Sequence, residues 1–508
     1  MSDLFELIGT MYVGAVDVVS ALIPRSSRKS AAHPLRLYNT MSGAIELFKP
    51  LRKDAVKMYN CGPTVYGRQH IGNLSMFIFT DTLRKVLLYN HFTVKQVINF
   101  TDFGHLSSDN DEGEDKMTKG LKREGMALSI ENMRVLGEKY ANIFLEDLRQ
   151  LNVDVDHVTF PRASDFVSEQ IAMIRTLEEK GYTYQSHGCV YFDTSLLPDY
   201  GKLGNINLEG LISGARVKDS HKKHPTDFLL WKASRRVGWM SPWGKGFPGW
   251  HIECSAMIRA TLGTQIDIHT GGIEHIPIHH NNEIAQSESA TGKKPFAQYW
   301  LHRAHIQLEG SKIAKSGGNV IYLSDVIERG FHPLALRYLF LTAHYRTPSN
   351  FTWEALGAAQ TAFAKLVGFR LSLADAEKDA VSTHWRSAFV SRLNDDLETP
   401  AAIAVVWEMV SDKLLSSAQK LATLLDFDSV LGLNLAEPDE HALRLAREHT
   451  REEVVAGDLP DAIAHLVRER EEARDAKDWS RADELRIRIQ SEGYALEDKD
   501  GATKILKI

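Results

Sequence analysis

His70, Gly72 and Asn73 belong to the tetrapeptide HIGN that closes the stretch KMYNCGPTVYGRQHIGN, Lys57 to Asn73. An apolar run ends at Cys61, a Gly62-Pro63 turn follows, and Leu74 to Tyr89 carries apolar residues at helical spacing. This pattern predicts strand, turn and helix, with His70 and Asn73 at the helix start. The free N–H groups and positive dipole end of such a helix suit a phosphate. Gly72 leaves room for a flat base or a ribose against the backbone. Taken alone, HIGN reads as a tight turn with a surface histidine, since short motifs match by accident.

Other reactive side chains lie far downstream. Cys254 opens a helical segment in GWHIECSAM, Gly249 to Met257, and His279 and Glu283 stand four apart in HHNNEIAQSE. That spacing puts both on one helix face, and His280 then points elsewhere on the helix. Thiolates, an imidazole and a carboxylate together suit zinc. Singly, each reads as ordinary core packing. Lys312 and Lys315 sit in LEGSKIAKSGGNV, a glycine-bounded loop that could follow negative charge or simply be a solvated basic turn.

The elements that must position these groups alternate. Leu35 to Tyr38 and Ala44 to Phe48 predict a hairpin, Phe92 to Asn99 a strand running into Thr101-Asp102, and Gln265 to His269 a strand closed by a Gly271-Gly272 turn. Ligands of open α/β sheets sit outside such strand ends. Leu128 to Leu151 and Asp165 to Gly181 predict helices, and Cys189 to Asp193 a strand with Cys189 as a structural thiol. His105 to Lys116 is an acidic, turn-rich loop. Leu323 to Asn350 contains a strongly apolar helix, and Phe351 to about Leu435 predicts a helical bundle. Leu459 to Glu492 predicts a charged helical hairpin broken at Asp478-Trp479-Ser480, followed by two short strands.

At 508 residues the chain holds several cores. A 43% hydrophobic and 25% charged composition is that of a globular protein, and a net charge of −6 excludes a general basic coat while allowing a local basic face. Three cysteines point to a reducing, cytoplasmic setting and not to a disulfide framework. Leu4 to Ile23 is the most apolar run, but Glu6 and Asp17 interrupt it and its basic residues, Arg25, Arg28 and Lys29, come afterwards. No membrane span or signal peptide is expected.

HIGN and KIAKS resemble the two signatures of class I aminoacyl-tRNA synthetases, and CGPTVY before HIGN resembles the cysteinyl-tRNA synthetase form. The resemblance runs from about Pro34 to the C-terminus. It implies an α/β fold: a Rossmann-like nucleotide-binding domain with an insertion, then a helical bundle and a small C-terminal anticodon-binding module. The division it implies is an extension at 1–33, catalytic halves at 34–160 and 231–322, an inserted domain at 161–230, a stem-contact region at 323–375, the bundle at 376–457 and the module at 458–508. It further implies one zinc ion on Cys61, Cys254, His279 and Glu283, with Gly62, Thr64, Thr101, Trp250 and His269 around the substrate cysteine. His70, Gly72, Asn73 and Lys315 would bind ATP, and His70, Asn73, Lys312 and Lys315 would act in catalysis. The implied reactants are L-cysteine, ATP with Mg2+, and tRNA(Cys), handled by a monomer. Ile313, Ala314 and Asn281 depart from the family pattern.

Two rivals remain at this level. A tRNA-independent cysteine ligase of the mycothiol-synthesis type would share the catalytic half but not the C-terminal module. A catalytically dead RNA- or zinc-binding regulator would draw support only from the altered KIAKS loop.

Overall fold

The computed structural model describes residues 33–53, 55–103, 115–206, 221–308, 311–312, 320–377, 379–450, 452–453, 459–499 and 502–507. The expectations for residues 1–32, for most of the acidic loop and for Lys315 lie outside these residues.

A short hairpin, β1 (Arg36–Asn39) and β2 (Ala44–Leu47), leads into β3 (Val56–Asn60). Helix α1 (Ile71–Tyr89) crosses to β4 (Val94–Ile98), and α2 (Lys116–Arg123) and α3 (Ile130–Gln150) precede the short β5 (Val158–Thr159). The chain then leaves this layer. Helix α4 (Val167–Glu179) is followed by β6 (Thr183–Ser186), β7 (Cys189–Phe192), β8 (Phe228–Ala233), β9 (Trp239–Ser241) and β10 (Gly244–Pro248). It returns through α5 (Trp250–Thr261), β11 (Ile266–Gly272), α6 (Asn281–Thr291) and β12 (Ala297–Arg303).

The main sheet has the order β12-β11-β3-β4-β5 and is parallel throughout. Val56, Met58, Val97, Ile266 and Ile268 are fully buried, as strands covered on both faces require. The inserted sheet, β6-β7-β8-β10-β9, is antiparallel. It runs on to Pro248, past the expected boundary at 230, because β8 pairs with both β7 and β10 and the chain must turn back once more.

Below the main sheet, helices at Pro333–Leu341, Trp353–Ser372, Thr383–Leu393, Thr399–Ser411 and Ser417–Leu431 form the bundle. One apolar core joins it to α1: Leu83, Val86 and Leu87 share a cluster with Phe363, Phe389 and Phe427. The C-terminal hairpin of helices, Asp461–Asp475 and Trp479–Ser491, packs on the antiparallel strands Tyr494–Lys499 and Ala502–Lys507 around its own core of Ile463, Val467, Ile489, Leu496 and Ile505.

Candidate active site

The stretch after β3 threads between strand ends. Gly62 donates its N–H to Asn99 Oδ1 at 2.9 Å, and a Cβ at Gly62 would lie 1.6 Å from the Asn99 carbonyl oxygen. Thr101 N–H donates to Pro63 O and Val65 N–H to Thr101 O, at 3.1 and 3.0 Å, so Thr64 and Thr101 lie side by side. His70 caps α1: its Nδ1 accepts from Asn73 N at 3.1 Å. Gln69, buried behind the turn, accepts from Asn73 Nδ2 at 2.6 Å and donates to the carbonyls of Thr64 and Gly67. Ile71 N–H reaches Ile321 O at 2.9 Å, which fastens the helix start to the segment that leaves the KIAKS loop.

Four donor atoms meet beside this turn. One ligand atom each from Cys61, Cys254, His279 and Glu283 lies within 4.8 Å of all the others, and every one of these residues is buried. Cys61 continues from β3, Cys254 sits in the first turns of α5, and Glu283 opens α6. A π-helical turn, Ile276–His280, precedes α6 and presents both His279 and His280 inward. His280 therefore does not point away: its Nε2 lies 3.3 Å from Cys61 Sγ and its Nδ1 2.8 Å from His302 Nε2. The expected Gly271-Gly272 turn is strand, in register with His302 and Arg303. A Cβ on Gly271 would fall 2.6 Å from His275 Nδ1 and 2.7 Å from His280 Cε1, so the glycine makes room for these rings.

The four groups perturb one another strongly. The Cys61 hydrogen bond, burial and Glu283 push the Cys254 thiol well up, and burial pushes up that of Cys61. Burial would raise Glu283 too, but His269 and His279 outweigh it and hold the carboxyl well below its usual range. Burial acts to lower His279, yet Glu283 and the Cys254 sulfur hold it at about 10. Glu283 Oε2 lies 2.5 Å from His269 Nε2 and Oε1 lies 3.1 Å from His279 Nε2, buried ion-pair contacts that fall outside hydrogen-bond geometry. Two thiols, one imidazole and one carboxylate make a donor set suited to tetrahedral zinc.

A cavity of about 860 Å³ joins this group to the helix start. Cys61, Gly62, Thr64, His70, Gly72, Asn73, Thr101, Trp250, Cys254 and His279 all line it. The Trp250 ring stands 4.5 Å from that of His279. His269 is not among the lining residues: its ring stacks on Trp300 at 4.7 Å and its Nε2 edge is taken up by Glu283. Lys312 is described only as backbone, paired with Gln307.

Several lining or supporting groups carried no signal in the sequence. Lys116, Lys119 and Arg123 of α2 make one flank of the cavity basic. Glu253 accepts from Thr101 Oγ1 at 3.1 Å and is pushed well above the usual carboxylate range by burial, then by Asp102. Asn281, where the family pattern has an acid, bonds the Leu203 and Ile276 backbone instead of entering the site.

Comparison with known proteins bears on this geometry. The family model for the class I (C) tRNA synthetase catalytic domain matches residues 47–361, and that for the cysteinyl-tRNA ligase anticodon binding domain matches residues 456–505. The chain belongs to the cysteinyl-tRNA synthetase family. Cysteine–tRNA ligase 1 of Burkholderia lata is 44% identical over 92% of this chain and 95% of its own length. Cysteine–tRNA ligase of Treponema denticola is 38% identical over 93% of this chain and the whole of its own. In fold, the chain resembles Mycobacterium tuberculosis methionyl-tRNA synthetase in complex with methionyl-adenylate, with a TM-score of 0.51 at 13% identity over 80% of this chain and 95% of that one. Among the described residues, no helix is long and apolar enough to cross a membrane.

Proposed function

We propose that the protein is a cytoplasmic cysteine–tRNA ligase: it activates L-cysteine with ATP and Mg2+ and transfers it to the 3′ end of tRNA(Cys). The observation that carries this reading is the four-donor group of Cys61, Cys254, His279 and Glu283 in one cavity with the capped start of α1.

A zinc ion on those four residues would supply a Lewis acid with a strong preference for sulfur, which separates cysteine from serine where a purely steric pocket would not. Gly62, Thr64, Thr101 and Trp250 border the amino acid, and His269 acts one layer back by holding Glu283. His70, Gly72 and Asn73 receive the nucleotide at the positive end of α1. Lys312 and Lys315 place cations on the phosphate chain as charge builds. The cysteine carboxylate attacks the α-phosphorus, pyrophosphate leaves, and the terminal ribose hydroxyl of tRNA then attacks the adenylate carbonyl and releases AMP. Placement and electrostatics do most of this work.

Cysteine- and ATP-dependent pyrophosphate exchange tests activation, and charging of tRNA(Cys) tests transfer. Exchange absent from zinc-loaded protein would defeat the reading. A cysteine-containing product formed without tRNA would favour the mycothiol-type ligase.

A further inference from the structure

Four arginines are buried among the described residues: Arg84, Arg303, Arg337 and Arg470. Three of them hold a carboxylate, Arg84 on Asp154 at 2.7 Å, Arg337 on Asp81 at 2.6 Å and Arg470 on Asp498 at 2.6 Å. Arg303 holds none among the described residues. Its Nε donates to Ser75 Oγ at 3.0 Å, and its guanidinium lies 5.7 Å from the centre of the Phe340 ring. Burial alone lowers its pKa, to about 10, with no opposing acid. A buried guanidinium lacking an anion is costly, and such a charge is retained where something completes it.

Its place in the fold says what completes it. Arg303 is the last residue of β12, opposite Gly272 of β11, at the carboxyl edge of the parallel sheet where ligands of such sheets sit. It lines the 860 Å³ cavity. Ser75, which receives its Nε, stands in the second turn of α1 and donates in turn to Gly72 O at 2.7 Å. The guanidinium thus lies beside the positive end of α1, and the two fields add. Glu274 is the one acid lining the cavity among the described residues, and it lies 3.5 Å from His305 Nδ1.

We infer that Arg303 is a substrate-contacting residue that binds the phosphate chain of ATP, a role outside both signature motifs. This rests on the proposed ligase reading. The Nη donors left after the Ser75 bond would take phosphate oxygens, for which the planar fork of arginine is well matched.

The test is pyrophosphate exchange by the full-length, zinc-loaded enzyme with Arg303→Met and Arg303→Lys. Loss of a charge-assisted hydrogen bond should raise KM for ATP about tenfold to hundredfold in Arg303→Met, with KM for cysteine unchanged. Arg303→Lys, which keeps a cation, should recover much of the loss. Inhibition by adenosine, which carries no phosphate, should be equal in wild type and Arg303→Met. An unchanged KM for ATP overturns the inference, as does a rise in KM for cysteine instead, or an equal weakening of ATP and adenosine. If Arg303→Met does not fold, Arg303→Gln keeps a donor for Ser75 without the charge and carries the same expectations. A wild-type enzyme with no exchange activity fails the ligase reading itself; an active wild type with an indifferent Arg303 fails this inference alone.

Discussion

Arg337 Nη2 meets Asp81 Oδ2 at 2.6 Å, with at most 1% of either side chain exposed. The same guanidinium donates to Leu431 O at 2.6 Å and to the carbonyls of Leu151 and Asn152 at 3.0 and 3.1 Å. One side chain thus ties the middle of α1, the end of α3 and the last turn of the bundle together. Gly432, at φ +66°, completes the junction: a Cβ there would sit 2.6 Å from Arg337 Nη2. Arg337→Met leaves Asp81 with Lys85 alone, and three carbonyl acceptors lose a donor. The expected cost is about 3–5 kcal/mol, the range for breaking a buried pair, read by urea unfolding. A midpoint equal to wild type would show that the junction is not stabilising.

The acid side of the stability profile should carry the mark of Asp81. Burial would raise its pKa, but Lys85 and Arg337 outweigh that and hold it below the ordinary value. A depressed folded pKa contributes stability that is complete above the unfolded value of about 3.9 and is lost as pH falls through the folded one. Unfolding free energy should therefore drop below about pH 4, and Asp81→Asn should flatten that limb. An acid limb of the same slope in the variant would assign the loss to other carboxylates.

Cys61→Ser should release most of the bound zinc and abolish cysteine binding while ATP binding stays near wild type, because Cys61 belongs to the donor group and His70 to the helix cap. Metal analysis and separate titrations with cysteine and ATP read this. Stoichiometric zinc in the variant would exclude Cys61 as a ligand.

Lys315→Ala should slow adenylate formation by roughly two to three powers of ten, the size of one lost transition-state charge contact, and Lys312→Ala should cost less. Single-turnover rates decide the order. Restoring Met and Ser at Ile313 and Ala314 should leave the rate equal or higher.

Deleting the residues after Gly457 should spare pyrophosphate exchange and sharply weaken tRNA charging. The apolar cluster of Ile463, Val467, Ile489, Leu496 and Ile505 draws on residues from Leu459 onward only, so its removal leaves the other cores intact. Equal charging of wild-type and anticodon-mutant tRNA by the full chain would refute a reading role for this unit.

How far the sequence reached follows from the range of the interactions. The strand, turn and helix around HIGN were legible because each rests on neighbours: the apolar run to Cys61, the Gly62-Pro63 break, the cap from His70 to Asn73. The donor group was legible only through its family positions, since nothing local links Cys61 to Glu283. Arg303 and Glu253 stayed hidden, because a charged residue within an apolar pattern says nothing about what faces it. Gly271-Gly272 misled for a related reason. Two glycines favour a turn locally, yet here they keep strand geometry to admit rings from another element. His269 lies one layer behind the cavity lining, a depth set by Glu283 and Trp300, which no local pattern around His269 announces.

The π-helical turn at Ile276–His280 makes the site sensitive to length as well as to identity. Its hydrogen bonds span five residues where those of the helix it feeds span four, and His279 and Glu283 sit on either side of that change. Removing a single residue between Gly272 and His279 would tighten the turn and rotate everything beyond it by about 100°. The carboxylate of Glu283 would then leave the thiols while every ligand remained in the chain. The spacing is thus itself a constraint, so a one-residue gap in this loop would erase the centre as thoroughly as losing a cysteine.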